Sequence, residues 1–193
     1  SGRVQDGEGC PTRPNLLERV DNGIGAVTEM EHGSAAMQMA RDGGPQAWTY
    51  RLPNPVQVVT EVRTFDSLSG VPRIQRLQYR DGYFDGVEQQ FRGFSRVDLI
   101  TTGDPNVEPG RTAMTFDVGQ TDPYRNGRLL REEVHSGDRL LEVTEYTHED
   151  CPLEGVPAGL DPPVRHVCQT RSVRYVLEGG PMTDAPSIVV EQE

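Results

Sequence analysis

The chain has 193 residues, 34% of them hydrophobic, which suits one large domain or two small ones with a real core and excludes wholesale disorder. Its net charge of −11 excludes a nucleic-acid surface, because phosphate binding needs a basic stripe and the sequence has none. The 15 Pro and 21 Gly interrupt the chain every few residues, which leaves little room for long helices and favours an all-β fold.

All 19 basic residues are Arg, so every positive charge is a guanidinium that can pair bidentately with a carboxylate or stack on a ring. Two explanations stay open for this bias: genome composition, or a salt-tolerant or extracellular protein. No run of 18 apolar residues is present, so the sequence predicts no membrane-spanning helix, and no signal peptide is recognisable.

The first third of the chain predicts a linker and then a hairpin. Residues 1–14 are rich in Gly, Pro and charge, and are expected to be a linker or the tail of a preceding domain. In NLLERVDNGIGAVTEMEH, an Asn-Gly turn between two strand-like runs predicts a β-hairpin. The following SAAMQMAR has the propensity for two turns of helix, and an edge strand is the alternative.

A long strand is predicted from Pro55 to Asp66, because its residues alternate with a period of two. A turn over SLSGV then leads to a returning strand from Pro72 to Arg80. One predicted face of the long strand contains Val56, Val58, Thr60, Val62 and Thr64, and the other contains Gln57, Val59, Glu61, Arg63 and Phe65.

The densest pattern is YRDGYFDGVEQQFRGFSRVDL, from Tyr79 to Leu99. It predicts two Asp-Gly turns around a Tyr-Phe pair, then a strand from Gln89 to Thr101 in which a Gly between two Phe suits a bulge or a close backbone approach. The residues singled out here are Asp81, Gly82, Tyr83, Phe84, Asp85, Gly86, Phe91, Arg92, Gly93 and Phe94.

Two arginines of this pattern need a role, Arg92 and Arg96, which flank Phe94. The prediction is a structural one: stacking on aromatic rings and bonding to carboxylates such as Glu88 or Asp98. A contact with a ligand is the alternative.

The second half predicts longer hairpins. A loop over GDPNVEPG, a short strand over RTAMTFDV and a turn-rich connection over GQTDPYRNG lead to RLLREEVHS and RLLEVTEYTHED, joined by a Gly-Asp turn. Further strands are expected at residues 164–178 and 187–193. We expect residues 15–127 to be one β-region and residues 128–193 a second, which could form one domain with the first.

Three cysteines, Cys10, Cys151 and Cys168, allow one disulfide and a free thiol, or three reduced thiols. Cys151 and Cys168 bracket a Pro-rich loop and are the candidate pair, with a stabilisation of roughly 3 kcal/mol expected for a loop of this size. Cys10 has no CxxC partner, so a zinc site is not expected.

No constellation of reactive residues stands out. The four histidines occur singly, and the HExxH, EF-hand, Gly-x-Ser-x-Gly, P-loop and dinucleotide-binding patterns are absent. The sequence therefore predicts no catalytic residue, no cofactor and no metal. The histidines are His32, His135, His148 and His166.

Three segments together, NLLERVDNGIGAVTEMEHG, WTYRLPNPVQVVTEV and YRDGYFDGVEQQFRGFSRVDL, resemble the middle region of insecticidal toxin-complex B components, the TcdB and SpvB-like branch of the Rhs proteins. The resemblance covers Asn15 to Ile100 and continues more loosely to the C-terminus. The chain departs from the family pattern at Gly103 to Asn126, where it is shorter, and Cys151 and Cys168 are not part of that pattern.

The resemblance implies a non-enzymatic shell of twisted antiparallel sheet that encloses a toxin. It implies as partners the propeller and Rhs repeats of the same polypeptide and the toxin-complex A and C components, and it implies a secreted or extracellular protein. An ADP-ribosylating domain occurs elsewhere in SpvB-like proteins, and no catalytic residue is carried over.

The alternative hypothesis is a secreted or surface β-sandwich that binds glycan or protein through exposed aromatic side chains. The candidates for that platform are Trp48, Tyr50, Tyr83 and Tyr124.

Overall fold

The structure is a computed structural model that describes residues 16–43, 47–67, 70–102, 106–155, 164–177 and 188–192. Ten antiparallel strands form one sheet in which every strand lies beside its neighbours in sequence, so the predicted all-β fold of successive hairpins with little helix is confirmed. The strands are β1 Arg19–Asp21, β2 Ala26–Ser34, β3 Gln57–Asp66, β4 Arg73–Asp85, β5 Gln90–Thr102, β6 Gly110–Asp117, β7 Arg128–Ser136, β8 Arg139–Asp150, β9 Val167–Val176 and β10 Ile188–Gln192. Among the described residues the helices are α1 Ala35–Arg41 and a 3-10 helix, Pro123–Arg125.

The first hairpin forms around the predicted Asn-Gly pair, with a longer loop than two residues. The Asn22 side-chain oxygen accepts hydrogen bonds from the backbone N–H groups of Ile24 and Ala26, both at 2.9 Å. Asp21 then faces Val27 across the ladder. The asparagine therefore closes the loop with its side chain, as Asx turns do.

The segment after β2 is helical, which decides between the two sequence-based alternatives. Ser34 is extended and caps α1, since its hydroxyl accepts from the backbone N–H of Met37 at 3.3 Å. The helix ends at Asp42, whose N–H donates to the Gln38 carbonyl at 3.3 Å.

A bulge in β3 breaks the predicted alternation of its faces. Glu31 of β2 faces Glu61, and His32 faces Val59, so Thr60 is the extra residue. Val58 and Glu61 lie on opposite predicted faces, yet both are buried, one on each side of the bulge. The two predicted faces are therefore wrong on one side of Thr60.

The predicted turn at Asp81-Gly82 is wrong, because β4 continues through both residues to Asp85. Asp81 has a φ of 49°, which kinks the strand without reversing it. The reversal takes place after Asp85, at the second predicted turn. On the return strand Gly93, with a φ of 113°, lies next to a bulge at Arg92.

The sheet is split between β3 and β4, which pair over only four positions, from Glu61 with Arg76 to Thr64 with Arg73. By contrast β4 and β5 pair along nearly their whole length. The gap left beside the second half of β4 is filled by α1, Asp42 and the segment 47–55. We call these residues, together with the parts of β4 and β5 that they contact, the wedge.

The predicted long hairpin is present as β7 and β8, followed by β9. Strand β6 pairs with β7 from Gly110 with Ser136 to Asp117 with Arg128, so pairing crosses residue 127, and a domain division there stays a prediction. The buried apolar side chains of the described residues lie in the wedge, in β3, and in or directly after β6, β8 and β9. They are Ala35, Trp48, Val58, Ala113, Val118, Val143, Val167, Val173 and Leu177.

Candidate functional site

Three aromatic rings surround Phe94 of β5, and one of them, Phe91, is also among the residues that the sequence singled out. Its ring lies 4.8 Å from that of Tyr79, 5.2 Å from that of Phe91 and 5.9 Å from that of Trp48, measured between centroids. The Trp48 and Phe91 contacts are edge-to-face, the arrangement that aromatic quadrupoles favour. The dense aromatic pattern of the sequence is therefore a small core on the sheet.

A buried carboxylate, that of Asp42, lies beside this core and faces two arginines. Its side chain accepts from Arg41 at 2.7 and 2.8 Å and from Trp48 Nε1 at 3.0 Å, and Arg80 Nε lies 3.5 Å away. Only 3% of Asp42 is exposed. The hydrogen bond from Arg41 holds the pKa of this carboxyl below its usual range, against the opposing effect of burial.

Helix α1 satisfies the backbone of β4 where β3 does not reach. The Tyr79 N–H donates to Gln38 Oε1 at 3.3 Å, and its carbonyl accepts from Arg41 Nη2 at 3.4 Å. Its hydroxyl crosses the gap and donates to the Val59 carbonyl at 2.9 Å. Burial raises the pKa of Tyr79, so this hydroxyl remains a donor at neutral pH.

Two residues of the mispredicted turn hold the segment 47–55 against the sheet. Asp81 accepts from the backbone N–H of Thr49 at 2.5 Å. At Gly82 a Cβ atom would lie 2.9 Å from Leu52 Cδ1 and 3.1 Å from Phe94 Cε1, closer than side chains normally pack. Glycine is needed at this position for a close approach, as expected for Gly in a strand.

The turn after β4 is held by the carboxylates of Asp85 and Glu88. Asp85 accepts from the N–H groups of Val87 at 2.9 Å and Glu88 at 3.1 Å, and Arg92 donates to Glu88 at 2.6 Å and to Asp85 at 3.3 Å. The backbone N–H groups of Glu88 and Val87 lower the pKa of Asp85. The structure thus gives Arg92 the carboxylate contact that the sequence predicts.

Arg96 makes the other contact of this kind, donating to the buried Asp98 at 3.3 Å. A similar group surrounds the buried Glu61, which accepts from Arg76 at 2.8 Å and from Arg63. The hydrogen bond from Arg76 lowers the pKa of Glu61, while burial opposes it. Each of these carboxylates is bound by arginine, which makes it poorly suited to proton transfer.

One apolar cavity of about 210 Å³ opens beside the wedge. Among the described residues no three His, Cys, Asp or Glu side chains are placed to hold a metal ion. The cavity is lined by Ala35, Ala36, Met39, Trp48, Leu52, Pro53, Asn54 and Pro55.

The sequence did not identify two central residues of the wedge, Asp42 and Leu52. Asp42 precedes Gly-Gly-Pro and is typical of a turn, and Leu52 directly precedes Pro53 in a segment without periodicity. The one usable signal was the single Trp of the chain, since a lone tryptophan beside an aromatic-rich strand is commonly part of a core.

The exposed aromatic platform of the alternative hypothesis is not present. Only 9% of Trp48 is exposed, and Tyr50 packs edge-on against Tyr83 at 5.2 Å. Tyr124 is 41% exposed, with the Arg165 guanidinium 5.1 Å from its ring centroid. The ten described strands also form one sheet, not the two of a sandwich.

The candidate cysteine pair lies at the end of the β8–β9 hairpin. The structure joins Cys151 and Cys168 in a disulfide with a Cα–Cα distance of 5.9 Å, inside the usual range. The Cys151 N–H also donates to the His166 carbonyl at 2.8 Å. Cys10 lies outside the described residues.

No helix among the described residues is long and apolar enough to cross a membrane. No curated protein matches the sequence. Solved structures do match the fold: a TcdB2–TccC3 complex has a TM-score of 0.70 at 20% identity over 84% of this chain and 11% of that chain. A TcdB2–TccC3–TEV structure matches with a TM-score of 0.70 at 20% identity over 86% and 11%.

The Photorhabdus luminescens Tc holotoxin pore, with a mutation in TccC3, matches with a TM-score of 0.67 at 20% identity, over 84% of this chain and 10% of that chain. The chain thus spans about a tenth of the length of these proteins, and at this identity they establish the fold alone. A family model described as the insecticide toxin TcdB middle/N-terminal region matches residues 1–116, more than half of the sequence. The chain therefore belongs to the family of TcdB middle/N-terminal regions of insecticide toxins.

Proposed function

We propose that this chain is a non-enzymatic segment of a toxin-complex B-like, Rhs-related protein, and that its sheet forms part of a shell that encloses a toxin until delivery. The observation that carries this is the single sheet of ten strands in consecutive order, a shape suited to a wall. Its buried carboxylates are bound by arginines, which gives the wall fixed charge pairs in place of reactive groups.

The partners in this proposal are the propeller and Rhs repeats of the same polypeptide and the A and C components of the toxin complex. Support comes from the matched structures, which include a TcdB2–TccC3 complex and a Tc holotoxin pore. Because the chain spans only 11% of the matched chain in the TcdB2–TccC3 structure, most contacts with those partners would come from outside it. A secreted or extracellular location follows from the same proposal.

A protease-protection assay on the full-length protein, co-expressed with its C component, tests the wall function. In the parent complex the enclosed toxin should resist digestion. A double variant of the wedge, Asp42→Ala with Gly82→Leu, should expose it to cleavage, while the control Gly86→Ala should protect it fully. Trp48 fluorescence of the isolated chain would establish beforehand that the double variant opens the wedge. Full protection by a variant with an open wedge would contradict the proposal.

A second measurement tests the non-enzymatic part. The buried ionisable groups are replaced by neutral isosteres, and the activity of the chemically released toxin is measured. We expect that activity to equal the parent value for every variant, because none of these groups belongs to the toxin. The assignment would be overturned if the segment itself turned over a substrate and one of these variants abolished that turnover. The substitutions are Asp42→Asn, Glu61→Gln and Asp98→Asn.

A further inference from the structure

One buried ionisable side chain has no arginine or carboxylate bound to it: His148 in β8. Only 7% of this residue is exposed, and no described hydrogen-bond partner reaches its Nδ1 atom. Buried polar atoms are rarely left in this state. Such a site can accommodate a neutral imidazole, whereas an imidazolium would bring an unpaired charge into it at a high free-energy cost.

The charged groups that act on the ring come from the three elements packed around it. Arg128, the first residue of β7, faces Asp117 of β6 in the β6–β7 ladder, and its positive charge acts on the ring. Arg125 of the 3-10 helix adds a second positive charge, and Asp117 of β6 adds one negative charge. Strand β9 contributes the neutral Gln169, directly opposite.

Within β8, the adjacent Glu149 is exposed and points to the opposite face of the strand, and Asp150 is bound by Arg165 at 2.8 Å. The surroundings of His148 therefore hold two guanidinium groups against the single carboxylate of Asp117. Burial lowers the pKa of His148, and Arg128 and Arg125 lower it further against Asp117. The ring is neutral in the folded protein at neutral pH.

A positive charge on His148 would act most directly on the segment 118–127, which joins β6 to β7 and carries Arg125. We call it the β6–β7 connection. It is closed by a hydrogen bond from the Gly127 N–H to the Asp117 carbonyl at 2.8 Å. Arg165 also bridges it to β8, lying 3.0 Å from Asp122 and 2.8 Å from Asp150. Arg165 thus joins the connection to the strand that carries His148, while Val118 anchors its first residue in the apolar core.

We propose that His148 is an acid-sensitive latch: protonation of its ring places a third positive charge beside Arg125 and Arg128 and releases the β6–β7 connection, while β7, β8 and β9 stay paired. The sign follows from the burial of the neutral ring. Protons bind better to the released state, so release is favoured as pH falls below the ordinary histidine value of about 6.5. The latch does not depend on the proposed shell function.

Amide hydrogen exchange of the chain at about pH 7.5 and about pH 5, corrected for the intrinsic pH dependence of exchange, tests the latch. In the parent protein, exchange in the β6–β7 connection should rise about tenfold or more on acidification, with β7 and β8 unchanged. In His148→Gln, which cannot be charged, this rise should disappear. The control His166→Gln, at an exposed histidine, should keep it. An equal rise in His148→Gln, or none in the parent protein, would overturn the proposal.

Because His148→Gln could loosen the connection at every pH, a second readout follows the parent protein alone. The NMR titration of the His148 ring should share its midpoint with the change in the amide signals of the connection. A ring that stays neutral while the connection opens would also overturn the latch.

Discussion

The Trp48 indole donates to Asp42 Oδ2 at 3.0 Å, and both side chains are buried. This bond joins the end of α1 to the segment that covers Phe94. Because Arg41 and Arg80 face the same carboxylate, the contact unites an ionic cluster with the aromatic core of the wedge. The wedge should therefore respond as one unit when either part is changed.

Asp42→Asn should destabilise the chain by about 2–3 kcal/mol, below the 3–5 kcal/mol typical when a buried ion pair loses one partner. The amide still accepts from Trp48, but the charge opposite Arg41 and Arg80 is lost. The value is reduced because both arginines are partly exposed and are screened by solvent.

Urea unfolding followed by circular dichroism measures this loss. The matched control is Asp138→Asn, at an exposed turn position, which should stay within about 0.5 kcal/mol of the parent protein. Equal losses in the two variants would mean that the Asp42 cluster adds nothing specific.

Gly82→Ala should destabilise by about 1–2 kcal/mol, because its Cβ would press on Leu52 and Phe94 and overpack the wedge. The cost is limited since a Leu52 methyl group can move. Gly86→Ala is the control, with nothing within 4 Å of its added Cβ. Fluorescence of Trp48, the only tryptophan, should shift to the red for the first variant alone. A shift in both variants, or in neither, would contradict close packing at Gly82.

The fold could be predicted from the sequence because local signals and tertiary contacts agree along most of the chain. Strands β7 and β8 begin and end where their alternation and the Gly-Asp turn predict. Neighbouring strands in this sheet are also neighbours in sequence, so finding the hairpins was sufficient to find the sheet order. The strong Asn-Gly and second Asp-Gly signals mark real reversals.

The wedge could not be predicted, because its contacts join residues far apart in sequence. Asp81-Gly82 has the composition of a turn, but the bond from Thr49 to Asp81 and the packing of Leu52 on Gly82 keep the strand running. Likewise a bulge at Thr60 moves Glu61 inward, and the alternation of residue types in the sequence does not reveal the position of a bulge. Tertiary contacts override local preference at these positions.

Acid should weaken the fold through Glu61. Its pKa is held down by the hydrogen bond from Arg76, so its contribution to stability is complete above the unfolded value of about 4.5 and is lost as pH falls through the lower folded value. In the parent protein, the free energy of unfolding should therefore decrease as the pH is lowered from about 4.5.

Glu61→Gln removes this titration and provides the check. The stability difference between the parent protein and the variant should be largest near neutral pH and shrink toward about pH 3. Exposed Glu154→Gln should leave the whole pH profile unchanged. A difference that is constant with pH would show that Glu61 acts through its shape and not its charge.

Removing the disulfide with Cys151→Ser should lower the free energy of unfolding by about 3 kcal/mol, because the cross-link restricts the unfolded loop between β8 and β9. For a chain of this length that corresponds to a Tm lower by about 6–12 °C. The β8–β9 pairing itself should survive, since the Cys151 N–H still bonds to the His166 carbonyl and Arg165 still binds Asp150.

Thermal unfolding with and without reductant measures the effect. In reductant the Tm of the parent protein should fall to that of the variant, and Cys10→Ser should behave as the parent does. A parent Tm that reductant does not change, together with free thiols at both positions by mass spectrometry, would rule the disulfide out.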